Sequence, residues 1–559
     1  MSDIGRKQNQ SASGRAPQLD QYAGLWGFSR RVLISASLLL AAFVVFLALC
    51  ERWEGHAFNL GACALLAAYC ILRWIIRPRN TRERALFTVV LAVLFCGILL
   101  HNHYERTADL YGRLKIRTWN IYHYYIGSKY FDELGFDDLY VQTIVADRQD
   151  TNRLKRVTSI RDMADYNVKP VDRLVPAERS ERFTDGRWRE FKRDLRALLP
   201  RTSRRTWSSI LLDRGYNPTP FYNTVVSAVS HRIDFHKRRQ VLLATHIDFA
   251  LYIIMFAAVA WAFGFEPAML VFLAFALLPF NPGRLVGGYV QYDWMAAIVL
   301  GVCFLKKRMP IASGISMGYA VMARVFPLIL AAGLAAPALL RSIRTRKPDR
   351  TGLRFGIAIA LFCVLGVGVG CMSQRGFSAW TEWKGNIGVH NEHMTYGEGR
   401  VGLKHIFTHK LGEQQRFESF NQRKQTLRQQ RIPYFISAAV VLLLLLATIW
   451  FQRDVNSVIL AMVAVYAILV PSHYYWSILA LLPLWLIADE DKPWQPALIP
   501  CLTAFIVPAG WYLYAMDQSI HYARYIRFDW ILGVCFLIWL IVLLIKALPG
   551  IRSLFHHKK

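Results

Sequence analysis

The long hydrophilic segments of this 559-residue chain contain no cysteine. All nine cysteines lie in or at the edge of apolar runs, at positions 50, 63, 70, 96, 303, 363, 371, 501 and 535. This distribution excludes a disulfide framework in the loops and a metal site built from paired cysteines. We therefore expect the cysteines to be small core residues.

The chain also lacks a zinc-enzyme signature and any recognisable internal repeat. His390 and His393 have His-x-x-His spacing, but zinc requires three or four converging ligands, and no cysteine lies nearby. We expect neither a metal nor a cofactor. The absence of an inverted repeat counts against a secondary transporter.

Acidic residues are scarce relative to basic ones. The chain has 67 Lys and Arg against 38 Asp and Glu, a formal net charge of +29. Most of the basic residues flank apolar runs, where they orient membrane spans, so nucleic-acid binding is not expected. The excess in the loops suits anionic lipid headgroups or phosphates.

Hydrophobic residues make up 54% of the chain and are gathered into runs long enough to cross about 30 Å of hydrocarbon. This pattern predicts an all-α polytopic membrane protein with about twelve transmembrane helices, a re-entrant helical pair and a large external loop domain. The predicted spans are 32–50, 57–76, 85–102, 241–263, 267–281, 286–305, 353–372, 433–451, 456–471, 474–488, 495–514 and 530–548.

The predicted spans and loops divide the chain into seven parts. These are a cytosolic N-terminal tail (1–30), three spans (31–102), an external helical loop domain (103–240), spans including a re-entrant pair near 309–340 (241–372), a second external loop (373–432), C-terminal spans (433–548) and a cytosolic tail (549–559). No cleavable signal peptide is expected, because the polar tail leads directly into the first span.

Residues 309–340 lie between two basic clusters, KKR at 306–308 and RSIRTRKPDR at 341–350. As a helix they would rise about 48 Å, whereas two full crossings need about 60 Å. A re-entrant pair turning at Arg324-Val-Phe-Pro327 satisfies both clusters, because proline ends a helix. The alternative is one long helix that inverts every later span.

The stretch NIYHYYIGSKYFDELGFDDLY (120–140) combines tyrosines with acids, His123 and Lys129. An interfacial aromatic belt accounts for Tyr125 but not for the acids, which could simply form a solvated face. In the alternative interpretation, one of these carboxylates is a general base beside a lipid-borne substrate, with His123 in the same segment, and Lys129 pairs with a phosphate.

Arg324 lies inside an apolar hairpin, where an arginine costs about 2.5–3.5 kcal/mol, so it must face a partner or a wet cavity. The structural interpretation is an ion pair with Asp248 or Asp293. The functional interpretation is a ligand for phosphate or pyrophosphate. Arg284 is a second candidate for the phosphate, although lone interfacial arginines usually extend to the headgroups.

Two external segments add candidate substrate contacts. His473 and Tyr474 lie in a tight corner, SHYYW, where they could bind phosphate, orient an acceptor or only form a hydrogen-bonded belt. His390 precedes a glycine-rich turn that could close over a substrate. The predicted substrate-binding residues are Asn120, Tyr124, Tyr125, Tyr474 and His390.

The segment RWREFKRDLRALL (187–199) places its apolar residues on one helical face and its basic residues on the other. Two arrangements fit this pattern. The helix could lie flat in the headgroup layer, or it could pack on the core of its own loop domain.

Three features in order resemble the GT-C superfamily of integral membrane glycosyltransferases, particularly its polyprenyl-phosphate-dependent mannosyl and arabinosyl branch. They are NIYHYYIGSKYFDELGFDDLY after a span, the segment MPIASGISMGYAVMARVFPLILAAGLAAPALL, and HYYW before LLPL. The order covers most of residues 85–514. The family resemblance implies a sugar on a polyprenyl phosphate as donor, a lipid, glycan or protein acceptor, inverting transfer without a metal, and a site on the external face of a membrane, with a bacterial inner membrane expected.

The family places its catalytic Asp or Glu at the position that Asn120 occupies here, and asparagine cannot accept the proton. Either Asp138 or Asp147 takes that role, or the protein is a divergent or inactive relative. A non-catalytic scaffold of an envelope complex, a transporter of lipid-linked substrates and a different polyprenyl-phosphate enzyme are the alternatives.

Overall fold

The computed structural model describes residues 28–50, 55–78, 80–279, 286–397, 399–410, 419–487, 494–516 and 521–556. Within these ranges the protein is almost entirely helical, and nine helices are long and apolar enough to cross a membrane. This confirms the prediction of an all-α membrane protein at that coarse level. Arg284 and most of the N-terminal tail 1–30 lie outside the described residues.

Three helices begin the fold: α1 (Arg30–Cys50), α2 (Gly55–Ile76) and α3 (Thr81–Arg113). Arg73, buried on α2, donates from Nε to Glu266 Oε1 at 3.0 Å, and the Tyr69 hydroxyl donates to the same oxygen at 2.7 Å. An arginine in an apolar helix requires such a partner. This ion pair joins α2 to the later helix that carries Glu266.

The predicted loop domain is a compact set of short helices with one small antiparallel hairpin. Its elements are α4 (Thr118–Ile121), a π-helical turn (Tyr122–Ile126), α5 (Gly127–Lys129), α6 (Phe131–Leu134), α7 (Leu139–Gln149), β1 (Ser159–Arg161), β2 (Val168–Pro170), α8 (Val171–Leu174), α9 (Asp185–Leu198), a 3-10 turn (Leu199–Arg201), α10 (Arg204–Leu211), α11 (Pro220–Ser230) and α12 (Arg238–Thr245). The hairpin pairs Ile160 with Lys169.

Helix α9 packs on the core of its own loop domain, the second of the two predicted arrangements. The Thr184 hydroxyl caps its first turn by accepting from the Arg187 backbone N–H. Trp188 and Phe191 are buried, and the centre of the Phe191 ring lies 5.0 Å from that of the Tyr130 ring. The apolar face therefore has protein partners.

The central part of the chain contains α13 (Ile247–Phe263), α14 (Phe265–Leu277), α15 (Asp293–Lys306), α16 (Pro310–Ala323), α17 (Pro327–Ala332), α18 (Ala335–Thr345) and α19 (Arg350–Gly370). Helices α16 and α19 run parallel, because a Cβ on Gly314 would meet Phe355, and one on Gly366 would meet Met322. Glycine permits this close approach of the two backbones.

The chain reverses direction after α16. Arg324 has an extended backbone, Pro327 begins α17, and Ala338 on α18 lies beside Gly352 near the start of α19. Residues 309–340 therefore go along α19 and return. The position of this turn within a membrane stays a prediction.

The C-terminal part contains α20 (Ser378–Thr395), α21 (Leu403–Ile406), α22 (Phe420–Gln429), α23 (Arg431–Ile449), α24 (Asp454–Leu460), α25 (Met462–Ile468), a 3-10 helix (His473–Ile487), α26 (Trp494–Met516) and α27 (His521–His556). Trp476 and Trp485 of the 3-10 helix are fully buried. Its 15 residues rise about 30 Å, because a 3-10 helix rises about 2 Å per residue.

Four of the predicted spans do not correspond to long α-helices: 267–281, 286–305, 456–471 and 474–488. They coincide with α14, α15 and α24 followed by α25, each shorter than a full α-helical crossing, and with the 3-10 helix, which reaches a similar length only through its larger rise per residue. Conversely, α17 and α18 together, Pro327–Thr345, form one of the nine long apolar segments. The count of twelve spans stays a prediction.

We predict that Gly314→Ala lowers the melting temperature of the detergent-purified protein. The new Cβ would lie 2.5 Å from the Phe355 carbonyl oxygen, and overpacking of this kind costs about 1–3 kcal/mol. Gly356→Ala is the matched control, because a Cβ on Gly356 meets no atom within 4 Å. Equal melting temperatures for the two variants would contradict the parallel packing of α16 on α19.

Candidate functional site

Arg324 is buried, with 7% of its surface exposed, at the break between α16 and α17. Its Cζ atom lies 4.4 Å from the centre of the Tyr222 ring and 5.7 Å from that of Tyr124. Its Nη1 atom donates to the Ala323 carbonyl at 2.8 Å. Cation–π contacts of this kind are strongest when water is excluded.

Asp293, the first residue of α15, supplies a buried carboxylate near this cation. The Tyr319 hydroxyl donates to its Oδ2 atom at 2.9 Å and the backbone N–H groups of Asp293 and Trp294 stabilise its charge, whereas its Oδ1 atom is buried without a hydrogen-bond partner. The charges of Asp293 and Arg324 interact, yet among the described residues no carboxylate oxygen lies within 4.0 Å of the Arg324 guanidinium. A buried acceptor without a partner is costly, and it often marks a ligand site.

Tyrosines line the space around the two charges. The centre of the Tyr475 ring lies 5.0 Å from that of Phe326, and Tyr475 interacts electrostatically with Arg324. Tyr124 and Tyr475 are half-buried, so part of each ring lies at the protein surface. We define the Arg324 cluster as Arg324, Asp293, Tyr124, Tyr222, Tyr319 and Tyr475. Its members come from the π-helical turn, α11, α15, α16 with its C-terminal break, and the 3-10 helix.

Asn120 positions the segment that leads into Asp293. Its Oδ1 atom accepts from the Tyr289 backbone N–H at 2.6 Å, and its Nδ2 atom donates to Gln291 Oε1 at 3.3 Å. Asp248 continues this support, because its Oδ1 atom accepts from the Gln291 backbone N–H at 2.9 Å. The predicted substrate contact from Asn120 is therefore not supported.

His123 and Tyr125, in the π-helical turn, also have internal partners. His123 Nδ1 donates to the Trp119 carbonyl at 2.9 Å, which leaves Nε2 to accept from the Tyr140 hydroxyl at 2.9 Å. The Tyr125 hydroxyl donates to the Ile233 carbonyl at 2.8 Å. Their predicted catalytic and substrate-binding functions are not supported, because these contacts use the relevant polar atoms.

Lys129 is part of a buried ion network within the loop domain. Its ammonium group is 2.7 Å from Asp194 Oδ2, 2.9 Å from Glu190 Oε1 and 3.0 Å from the Tyr125 hydroxyl. An ammonium group has three N–H donors, and three partners use all of them. The structure thus assigns Lys129 to the core of the loop domain and does not support the predicted phosphate contact.

The two predicted bases differ from Asp293 in their surroundings. Asp147 Oδ1 accepts from the Arg153 backbone N–H at 3.0 Å and Oδ2 from that of Leu154 at 2.8 Å, so its carboxylate stabilises its own loop. Burial raises the pKa of the half-buried Asp138, and its closest charged neighbours include Arg182 and Asp137. Neither acid interacts with the Arg324 cluster through any contact that the described residues make.

His473 and Tyr474 lie beside the Arg324 cluster. His473 Nδ1 donates to the Gly399 carbonyl at 2.8 Å, which fixes the glycine-rich strap 399–402 against residues 471–473. The Tyr474 ring centre is 4.4 Å from that of Tyr475, and Tyr474 also interacts electrostatically with Tyr124. Of the predicted site residues, Arg324, Tyr124 and Tyr474 are therefore brought together, with His473 at the edge.

His390 belongs to a second group, which also contains Asp213, Arg214 and Arg400 and which adjoins Tyr474. Its Nδ1 atom accepts from Asn217 Nδ2 at 3.1 Å, so Nε2 carries the proton. Burial, together with the positive charges of Arg400 and Arg214, lowers the pKa of His390 to about 3. The ring is therefore neutral at neutral pH.

Several residues of these two groups were not predicted: Asp213, Arg214, Tyr222, Arg400 and Tyr475. Arg400 alone had a visible signal, since it follows two glycines in a turn rich in polar residues. Within the described ranges, no group of three or more His, Cys, Asp or Glu side chains could hold a metal ion. Comparisons with protein-family models, curated proteins and solved structures gave no match for this chain.

We predict that Lys129→Met lowers the melting temperature strongly. Removing one member of a buried ion pair costs about 3–5 kcal/mol, and Lys129 and Asp194 are both almost fully buried. Lys115→Met is the control, because Lys115 pairs with Asp109 at an exposed position and should change the melting temperature little. A Lys129→Met protein of unchanged stability that binds less lipid phosphate would restore the phosphate-binding interpretation.

Proposed function

We propose that the protein is a membrane glycosyltransferase of the GT-C type. It moves a sugar from a polyprenyl-phosphate donor to an acceptor at the external membrane face, with inversion and without a metal. The observation that carries the proposal is the Oδ1 atom of Asp293, a buried carboxylate oxygen without a hydrogen-bond partner near an equally buried arginine. A general base and an anion ligand are the two groups this transfer requires.

Arg324 is suited to the phosphate of the donor. A guanidinium group donates to two phosphate oxygens at once, and it stays charged when buried. The departing lipid phosphate keeps the electron pair of the broken sugar–oxygen bond, and a fixed positive charge lowers the energy of that step. The rings of Tyr124 and Tyr222 hold the guanidinium in place.

Asp293 is suited to accept the proton of the acceptor hydroxyl. The hydroxyl oxygen attacks the anomeric carbon from the face opposite the phosphate, and its proton passes to Asp293 Oδ1. The Tyr319 hydroxyl fixes the carboxylate through Oδ2. General-base catalysis of this kind contributes about 10²- to 10⁴-fold to a rate.

The position of Asp293 also explains how the protein could work without an acid at Asn120, where the family has its catalytic Asp or Glu. Asn120 binds Gln291, two residues before Asp293, and Tyr124 follows Asn120 by one helical turn and contacts Arg324. A carboxylate from α15 thus lies near the place where the family's own acid would be. Asp138 and Asp147 are less suitable bases, because neither interacts with the Arg324 cluster among the described residues.

We predict that Arg324→Gln reduces the fraction of protein that retains a polyprenyl monophosphate in native mass spectrometry. Loss of a charge-assisted contact should weaken binding by about tenfold or more. Arg431→Gln is the control, because Arg431 is exposed and lies over the Phe435 ring at 5.5 Å. Retention of ordinary phospholipid alone, equal in all three proteins, would favour a structural Arg324 and a scaffold function.

We predict a different effect for Asp293→Asn. The variant should bind the same lipid as the wild type, because asparagine still accepts from Tyr319, but the transfer rate should fall by about 10²-fold or more. Sugar release from the donor identified by its bound mass provides the rate measurement. An unchanged rate would exclude Asp293 as the base and direct attention to Asp138.

A further inference from the structure

Arg214 and Arg400 form a second concentration of positive charge outside the Arg324 cluster. Arg214 follows α10, and Arg400 lies in the strap 399–402, so segments far apart in sequence bring them together. A Cβ on Gly397 would lie 3.1 Å from Arg214 Nη2, which shows that the backbone before the strap packs on this guanidinium. The positive charges of Arg214 and Arg400 repel one another.

Among the residues that the structure describes, protein groups do not neutralise this charge fully. Arg400 is 4% exposed, its Nη1 atom donates to Ser472 Oγ at 2.7 Å, and its Nε atom is buried without a hydrogen-bond partner. Among the described residues, neither arginine has a carboxylate within 4.0 Å. Asp213 is the nearby acid, and its Oδ2 atom already accepts from Trp119 Nε1 at 2.8 Å.

The electrostatic consequences are visible in the neighbouring groups. Burial lowers the pKa of Arg400 to about 10, and the two arginines contribute to the low pKa of His390. Burying a guanidinium beside a like charge is unfavourable unless an anion compensates it. The groups available to an anion here are the Arg400 and Arg214 guanidinium groups and the His390 Nε2–H donor, and the charges of both arginines interact with His390.

We propose that Arg214 and Arg400 form an anion-binding site for a phosphate group. Two guanidinium groups and an uncharged imidazole N–H match the tetrahedral oxygens of a phosphate monoester. Tyr474 interacts with both Arg400 and Tyr124, so this site adjoins the Arg324 cluster without sharing its arginine.

The assignment of this phosphate to the acceptor rests on the proposed glycosyltransferase function. If the donor phosphate occupies Arg324, the second site binds the other reactant at a distance set by Tyr474 and Tyr475. The acceptor would then be an anionic molecule that carries a phosphate monoester. A free phosphate ion has the same chemistry, and the experiment separates the two sources.

The experiment uses the full-length protein in detergent and two probes. Native mass spectrometry measures retention of phosphatidic acid, a lipid with a phosphate monoester, relative to phosphatidylcholine, which has none. A thermal-shift measurement titrates inorganic phosphate. The variants are Arg400→Gln and Arg214→Gln; Arg214 is only half-buried, so its variant should fold even if the other does not. The exposed Arg205→Gln is the matched control.

We expect wild type and Arg205→Gln to retain one phosphatidic acid, and both site variants to retain about tenfold less. Stabilisation by inorganic phosphate without selective lipid retention, lost in the same variants, supports the site and identifies a free anion as its ligand. Equal behaviour of the site variants and the wild type, or no response to either probe, would overturn the proposal.

Failure of this proposal is distinguishable from failure of the glycosyltransferase proposal. Arg324→Gln should leave phosphatidic acid retention unchanged, whereas Arg214→Gln should leave retention of the sugar-linked polyprenyl phosphate, which is a phosphodiester, unchanged. Loss of both lipids in either single variant would show that the two arginine groups form one site, and it would contradict the separate acceptor site.

Discussion

The burial of one guanidinium group, that of Arg324, constrains the whole centre of the structure. It lies at the break in an apolar hairpin, where its charge cannot remain without compensation. The π-helical turn provides Tyr124, α11 provides Tyr222, α15 provides Asp293 and the 3-10 helix provides Tyr475. Residues of the predicted external loop domain and residues of the later helices therefore all interact with the Arg324 guanidinium.

The positive charge of Arg324 is only partly compensated by protein groups. In this respect Arg324 differs from the buried Arg73 and Lys129. Arg73 pairs directly with Glu266, and Lys129 uses all three of its N–H donors within the protein. Arg324 instead lies near a carboxylate that it does not contact directly, and one oxygen of that carboxylate has no partner. The first two arrangements stabilise the fold, whereas the third leaves hydrogen-bonding capacity for a ligand. Arg400 also has a buried N–H group without a hydrogen-bond partner, and no carboxylate lies within 4.0 Å of it among the described residues.

Sequence patterns predicted the features that depend on nearby residues. The apolar runs predicted the long helices, the face of α9 predicted a helix with one buried side, and the insertion cost of Arg324 predicted that its charge faces a partner or a wet cavity. Contacts between distant segments could not be predicted. Lys129 meets Asp194 across 65 residues, and no local pattern separates such an internal partner from a free cation. Whether α14 and α15 cross a membrane could not be read from their apolar runs for a related reason, since buried short helices are apolar on all sides as well.

The most direct test of this account is a cryo-electron microscopy map of the protein purified with added polyprenyl monophosphate. The account predicts phosphate density within hydrogen-bond distance of the Arg324 guanidinium, with Tyr124 and Tyr222 against the guanidinium and the Asp293 carboxylate facing the same space. A map in which Arg324 pairs directly with Asp293 while the lipid phosphate lies elsewhere would contradict it. The buried arginine would then be part of the scaffold alone.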